Sequence, residues 1–207
     1  MGSWGLALIL ARMLAEEGAR LTLVARDPAE LQRAEAEIRE MNGTEFTYAT
    51  DLRNPAEAEA AVLTAFAHLE QLDVLINNAG VIQGGPLEHM RREDYEEALA
   101  IHFWAPLYTM QAALPHMKQR GAGRIVNIAS IAGLVAIPHL APYSARKFAL
   151  VGLSDAWRDE LAKDGIRITT VCPGRMRTGS QCGLVQLSEP FFQGLCRALE
   201  GRLLLLA

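Results

Sequence analysis

Apolar and polar positions along this chain repeat with two different periods, and each change of period marks an element. Small residues at Gly2, Ser3 and Gly5 run into Leu6, Leu10 and Leu14 at helical spacing, and Gly18 closes that stretch. Leu21 to Ala25 (LTLVA) is a short apolar run with β-branched residues, which predicts a buried strand. Pro28 opens a helix in which Leu31, Ala34, Ile38 and Met41 recur on one face, ended by Asn42-Gly43. Phe46 to Ala49 predicts a second strand, and Pro55 starts a helix with Ala58, Val62, Ala65 and Phe66 facing inward. Leu72 to Ile76 (LDVLI) is a third strand, followed by one long helical stretch over roughly 93–119. Arg124 to Ala129 gives a fourth strand, roughly 142–163 another helix, and Ile166 to Cys172 a fifth strand closed by Pro173-Gly174. Beyond that the pattern is harder to read: Pro190 to Glu200 fits a short helix, and Arg202 to Ala207 a strand or a loose end.

Strands that alternate with helices and are apolar throughout, rather than every second residue, predict a parallel sheet covered on both faces. The 207 residues suffice for one domain with a sizeable core, and 50% hydrophobic residues exclude a disordered chain. A net charge of −4 with scattered basic residues gives no electrostatic case for nucleic acid or an anionic membrane. No apolar run reaches the length of a membrane span, and the N-terminus lacks the pattern of a secretory leader, so a cytoplasmic protein is expected. Cys172, Cys182 and Cys196 are too few and too dispersed for a disulfide framework, and no CxxC pair suggests a metal site.

Ligands of open parallel sheets bind beyond the carboxyl ends of the strands. The residues expected there are Arg26, Asp51, the run Asn77-Asn78-Ala79-Gly80, Ser130, and Pro173-Gly174. Tyr143 and Lys147, four apart, share a helix face close by. Each piece alone is weak, since YxxxK also describes a tyrosine beside a solvated lysine, and a serine after a strand is often a cap. Together, at the strand ends, they point to chemistry.

"INNAG", "RIVNIAS", "YSARK" and "VCPG" resemble the short-chain dehydrogenase/reductase family, from about Gly2 to Ser180. The resemblance implies a Rossmann-like α/β fold, a doubly wound parallel sheet with helices on both faces, and hydride transfer between a nicotinamide cofactor and a carbonyl or alcohol carbon. It assigns Tyr143 as general acid or base, Lys147 as the cation that lowers the tyrosine pKa and binds the nicotinamide ribose, and Ser130 as the donor to the substrate oxygen. Ser3, Trp4 and Leu6 would lie near the pyrophosphate at a helix N-terminus. Asp51 would contact the adenine amino group, Asn78, Ala79 and Gly80 would lie along the adenosine ribose, and Leu52, Pro173, Gly174, Met176 and Thr178 would also bind the cofactor. Helices 93–119 and 142–163 resemble those that pair in family homodimers and homotetramers.

The chain departs from the family in three places. The family's helix asparagine is replaced by His102, and Pro106 four residues on has no N–H for the His102 carbonyl, so a water relay there would use either the backbone or the imidazole. The first strand of the family is missing ahead of Gly2, and the third glycine of the phosphate turn falls on Ala7. Without that strand, the strands at Leu21–Ala25 and Leu72–Ile76 would each lose a partner. Insertion of "GRLLLLA" into the vacant place is a speculation that contacts with "LDVLI" would support. The segment 181–207 is short and atypical for the family. Ala25 followed by Arg26, in place of an acidic residue, implies NADP, with NAD as the alternative; Arg26 could also simply pair with Asp27 or solvent. Loops rich in Leu, Ile, Val and Ala suggest a hydrophobic carbonyl substrate. The alternative reading is a nucleotide-binding or scaffold protein that has lost turnover.

Overall fold

The computed structural model describes residues 4–41, 43–80, 82, 84–174 and 202–206. Helix α1 (Trp4–Glu16) leads into strand β1 (Arg20–Ala25), and α2 (Pro28–Glu40) into β2 (Thr44–Ala49). Then come α3 (Pro55–Leu69), β3 (Val74–Asn77), α4 (Arg92–Leu99), α5 (Ala105–Arg120), β4 (Gly123–Ile128), α6 (Ala141–Ala162), β5 (Ile166–Val171) and β6 (Arg202–Leu206). The expected helix over Pro190–Glu200 lies outside the described residues.

Local chemistry sets the boundaries. Asp27 and Asn54 cap α2 and α3 by accepting from the N–H groups of Ala29 and Ala56, each with proline at the first helical position. Gly18, at φ +80°, ends α1 where a side chain would be strained, and the Ala19 N–H returns to the Leu14 carbonyl.

All neighbouring strands pair in parallel, in the order β2-β1-β6-β3-β4-β5. Among the described residues no strand precedes α1, as read from the sequence, yet β1 and β3 keep a partner on the sides facing the slot, which corrects the expectation that they lose one. The last strand in sequence enters the central slot, with Leu23 opposite Leu205 and Leu75 opposite Leu204. Its start is tied down by Asp73, whose carboxylate accepts from the Arg202 N–H at 2.9 Å while its own N–H donates to the Arg202 carbonyl. Its end is tied by the Asn78 N–H on the Leu206 carbonyl at 3.0 Å. The cause is hydrogen-bond satisfaction: two inner strands with bare edges are costly, and a strand that is apolar at successive positions suits a place covered on both faces.

Side chains of successive residues enter opposite layers. Leu205, Ile76 and Val126 pack with Leu10, Leu14 and Ile38 of α1 and α2. Leu204, Leu206, Leu75 and Ile125 pack with Val62 of α3, Met110 of α5 and Leu161 of α6 on the other face. Burial of Ala58, Val62 and Ala65 follows the helical pattern read in the sequence, whereas Phe66 is only half-buried and stacks on His116.

The stretch read as one helix over 93–119 is two helices joined by a π-helical turn, Ala100–Trp104, in which the Ala105 N–H donates to the Ala100 carbonyl. Pro106, in the first turn of α5, has no N–H to donate back into the preceding turn, and the break falls just ahead of it.

Candidate active site at the carboxyl edge of the sheet

Because β1 to β6 run in parallel, their carboxyl ends form one edge, and the short turn from α1 into β1 puts the N-terminus of α1 at that edge too. Arg26 follows β1, Asp51 follows β2, Asn78 to Gly80 follow β3, Ser130 follows β4, and Pro173-Gly174 follow β5. Ser3, Met176 and Thr178 lie outside the described residues. Among the described residues no group of His, Cys, Asp and Glu is arranged to hold a metal ion.

The Tyr143 and Lys147 turn of α6 is clamped from several sides. A Cβ on Gly133 would lie 2.7 Å from the Lys147 carbonyl, so the loop after Ser130 packs directly on the α6 backbone. Ser130 is buried, and its Oγ accepts from the Ala132 N–H at 3.2 Å, leaving its proton for another acceptor. The Ile131 N–H reaches the Pro173 carbonyl at 2.9 Å, which ties this loop to the end of β5. Lys147 is 4% exposed, with Nζ donating to the Ile128 carbonyl at 2.7 Å and standing 5.9 Å from the Tyr143 ring centre. Burial, then the neighbouring Arg146 cation, push the Lys147 ammonium down to about 7, with the Cys172 thiol opposing. Cys172 itself is pushed up by burial, against the pull of the Ser130 N–H and Lys147.

His102 is buried and meets Tyr143 edge-on, with ring centres 6.3 Å apart. A Cβ on Gly80 would fall 1.9 Å from His102 Cε1, so the glycine expected beside the ribose also makes room for the imidazole. Gly80→Ala is therefore expected to displace the His102 ring and to destabilise the fold by about 1–3 kcal/mol. Urea denaturation should show the loss partly relieved in Gly80→Ala/His102→Ala; an additive pair would remove the contact from this account.

At the other end of the edge, Arg53 grips the Asp51 carboxylate through Nε at 2.9 and 3.0 Å and Nη2 at 2.5 Å. These bonds hold the Asp51 carboxyl below its usual range, with burial opposing and Arg26 adding a smaller pull. Leu52 and Ala79 line a shallow cleft with Leu206. Arg26 is exposed and makes no ion pair among the described residues, and Asp27 is occupied in capping α2. The Arg26–Asp27 pair considered from sequence is therefore not formed.

Two neighbours of the site, Arg146 and Cys172, were missed in the sequence. Both lie inside the quoted motifs, Arg146 at a spacer position and Cys172 weighed only for disulfide and metal chemistry.

The family model described as short chain dehydrogenase matches residues 2–186. A ketoacyl reductase, HetN, of a Nostoc strain is 34% identical over 93% of this chain and 67% of its own length. A metagenomic short-chain oxidoreductase solved in complex with NADP superposes with TM-score 0.79 at 35% identity, over 84% of this chain and 80% of that one. An NAD+-bound xylitol dehydrogenase superposes with TM-score 0.79 at 30% identity, over 85% of this chain and 69% of that one.

Proposed function

We propose that this chain, which belongs to the short-chain dehydrogenase family of oxidoreductases, interconverts a hydrophobic carbonyl compound and its alcohol with NADP(H). The observation that carries the reading is the convergence of Tyr143, a buried Lys147 and the Ser130 loop on one turn at the carboxyl edge.

The residues present suit a dinucleotide phosphate. Arg26 is an exposed cation with no ion pair among the described residues, α1 has no acidic residue in its first turn, and Lys147 is a buried donor. Trp4 and Leu6 begin α1, where backbone N–H groups would face the pyrophosphate. Asp51, Leu52, Asn78, Ala79 and Gly80 would hold the adenosine half, and Pro173 and Gly174 the nicotinamide half. When bound, NADPH supplies the hydride and NADP+ accepts it.

The protein's own part is proton and charge management. In carbonyl reduction Tyr143 gives its phenolic proton to the substrate oxygen as negative charge develops there, and in alcohol oxidation it takes that proton back. Ser130 keeps its Oγ proton for the same oxygen and so stabilises the charge. Lys147 favours the phenolate when charged and offers its remaining N–H groups to the ribose. His102, edge-on to Tyr143, and the π-helical turn that carries it would take the place of the relay group.

Exposed Leu87, Leu134, Val135 and Ile137 around the site support an apolar substrate. The ketoacyl reductase named above is consistent with an acyl carbonyl. Trp104 and Phe148, exposed on the elements that form the central helices, support pairing of two copies through α5 and α6. No helix among the described residues is long and apolar enough to cross a membrane.

The test is NADPH and NADH consumption over a panel of apolar ketones, aldehydes and β-ketoacyl thioesters. Turnover with NADPH preferred is the expected result. Tight NADPH binding with no turnover across the panel would favour the scaffold reading. Arg26→Ala should weaken NADPH binding about tenfold or more while leaving NADH nearly unchanged, because only NADPH carries the 2′-phosphate. Equal loss for both cofactors would remove Arg26 from the phosphate site.

A further inference from the structure

Between Tyr143 and Lys147 lies a side chain to which the catalytic reading assigns no task. Arg146 is fully buried, and its guanidinium carbon stands 4.6 Å over the centre of the Tyr143 ring. Residues three apart on a helix are neighbours, so the contact is built into the spacing of YSARK. Taking a guanidinium out of water is expensive, and a buried arginine needs an environment that answers its charge. An aromatic face provides part of that answer.

The stacking has a consequence for the phenol. A phenolate ring carries more negative charge than a phenol ring, so a cation over its face stabilises the deprotonated form more. Lys147 is farther from the ring centre, at 5.9 Å, and one of its donors is taken by the Ile128 carbonyl. With its ammonium brought down to about 7, Lys147 is only partly charged near neutral pH. Arg146 is brought down by burial to about 10 and so stays charged there, with Tyr143 favouring the charged form.

The other ionisable groups around this turn are spread over the elements that pack on α6. The π-helical turn brings His102, edge-on to the tyrosine. The end of β5 brings Cys172, next to Lys147. Helix α4 carries half-buried Asp94 and Tyr95 besides exposed Arg92, Glu93, Glu96 and Glu97. α6 itself carries Asp155, which acts on Cys172. Of these groups and the two cations of the motif, it is Arg146 that joins a lasting positive charge to a place over the ring face.

We propose that Arg146 is a positioning residue acting through Tyr143: its buried guanidinium, stacked on the ring, holds the ring in place and favours the phenolate, so that two cations set the acid–base behaviour of the site. The proposal rests on the reading of Tyr143 as the proton-transferring group.

Two effects of opposite sign follow from removing the guanidinium. The phenolate loses a cation, which moves the tyrosine to higher pH. Lys147 loses a repelling neighbour, recovers charge, and moves the tyrosine back. The first effect is the larger, because Arg146 is closer to the ring and lies over its face. In cofactor-free Arg146→Met, the phenolate step read by ultraviolet difference titration, and identified by its loss in the matching Tyr143→Phe variant, should move up by about one pH unit or more. Arg146→Lys, which keeps the charge, should return part of that shift. In alcohol oxidation, kcat/KM of Arg146→Met should fall about tenfold near neutrality and recover at higher pH. A phenolate step that stays or moves down, or an equal loss of kcat/KM at every pH, would overturn the proposal. Arg146→Gln carries the same measurements if the methionine variant does not fold. The titration needs no turnover: a shifted phenolate in a protein inactive on every carbonyl would sink the functional reading alone, and an unmoved phenolate in an active enzyme would sink this one.

Discussion

Removing residues 202–207 is expected to abolish the native sheet. The segment supplies the central strand β6, between β1 and β3, and its loss leaves both neighbours with bare hydrogen-bonding edges inside the molecule. Leu204, Leu205 and Leu206 are at most 1% exposed, and burial of each on one face or the other spans both layers of the core. Truncating one such leucine to alanine costs about 2–5 kcal/mol. Losing three together with the strand's hydrogen bonds exceeds the ~5–15 kcal/mol by which a domain of this size is stable. The truncated chain should therefore show no cooperative urea transition. Leu205→Ala should stay folded, with a lower midpoint and an unchanged slope. A truncated chain that unfolds cooperatively near the midpoint of the untruncated chain would show that β6 does not support the sheet.

The same strand marks the limit of what the sequence discloses. Strand and helix positions were legible wherever a period stood between clear stops, as with Pro28 and Pro55 opening helices after Asp27 and Asn54. LTLVA and LDVLI were legible as buried strands. RLLLL stays ambiguous in the sequence because successive apolar residues do not say which partners a strand takes, and pairing across more than a hundred residues leaves no local trace. Its lack of alternation was nonetheless the mark of a strand covered on both faces. With the slot filled, the reason for doubting the cofactor-binding half on the ground of a missing strand disappears.

The site divides in the same way. Ser130, Tyr143, Lys147 and the run ending at Gly80 were found because motif spacing and strand ends coincide. The π-helical turn was not, since helical periodicity runs through it; Pro106 was the one sign of the break. Arg146 and Cys172 were passed over for a different reason. Each is chemically ordinary until burial is known, and burial depends on α4, the Ser130 loop and the end of β5 packing against one turn of α6. The three-residue offset from Tyr143 to Arg146 was visible and already implied contact.

The second large effect concerns the phenol itself. Tyr143 is half-buried, with Arg146 over its ring, His102 at its edge and Lys147 beyond. Replacing its hydroxyl by hydrogen leaves the ring and these contacts while deleting the proton that the substrate oxygen needs. General acid–base catalysis contributes about 10²–10⁴-fold, so Tyr143→Phe should lose turnover by that order. NADPH binding should persist, since Arg26, the N-terminus of α1 and Lys147 are untouched. The most direct measurement is the pairing of NADPH fluorescence titration with carbonyl turnover in the unaltered chain and in Tyr143→Phe. The account predicts NADPH affinity within about threefold, under ~1 kcal/mol, beside turnover reduced by at least about a hundredfold. Turnover in the phenylalanine variant close to that of the unaltered protein would contradict it.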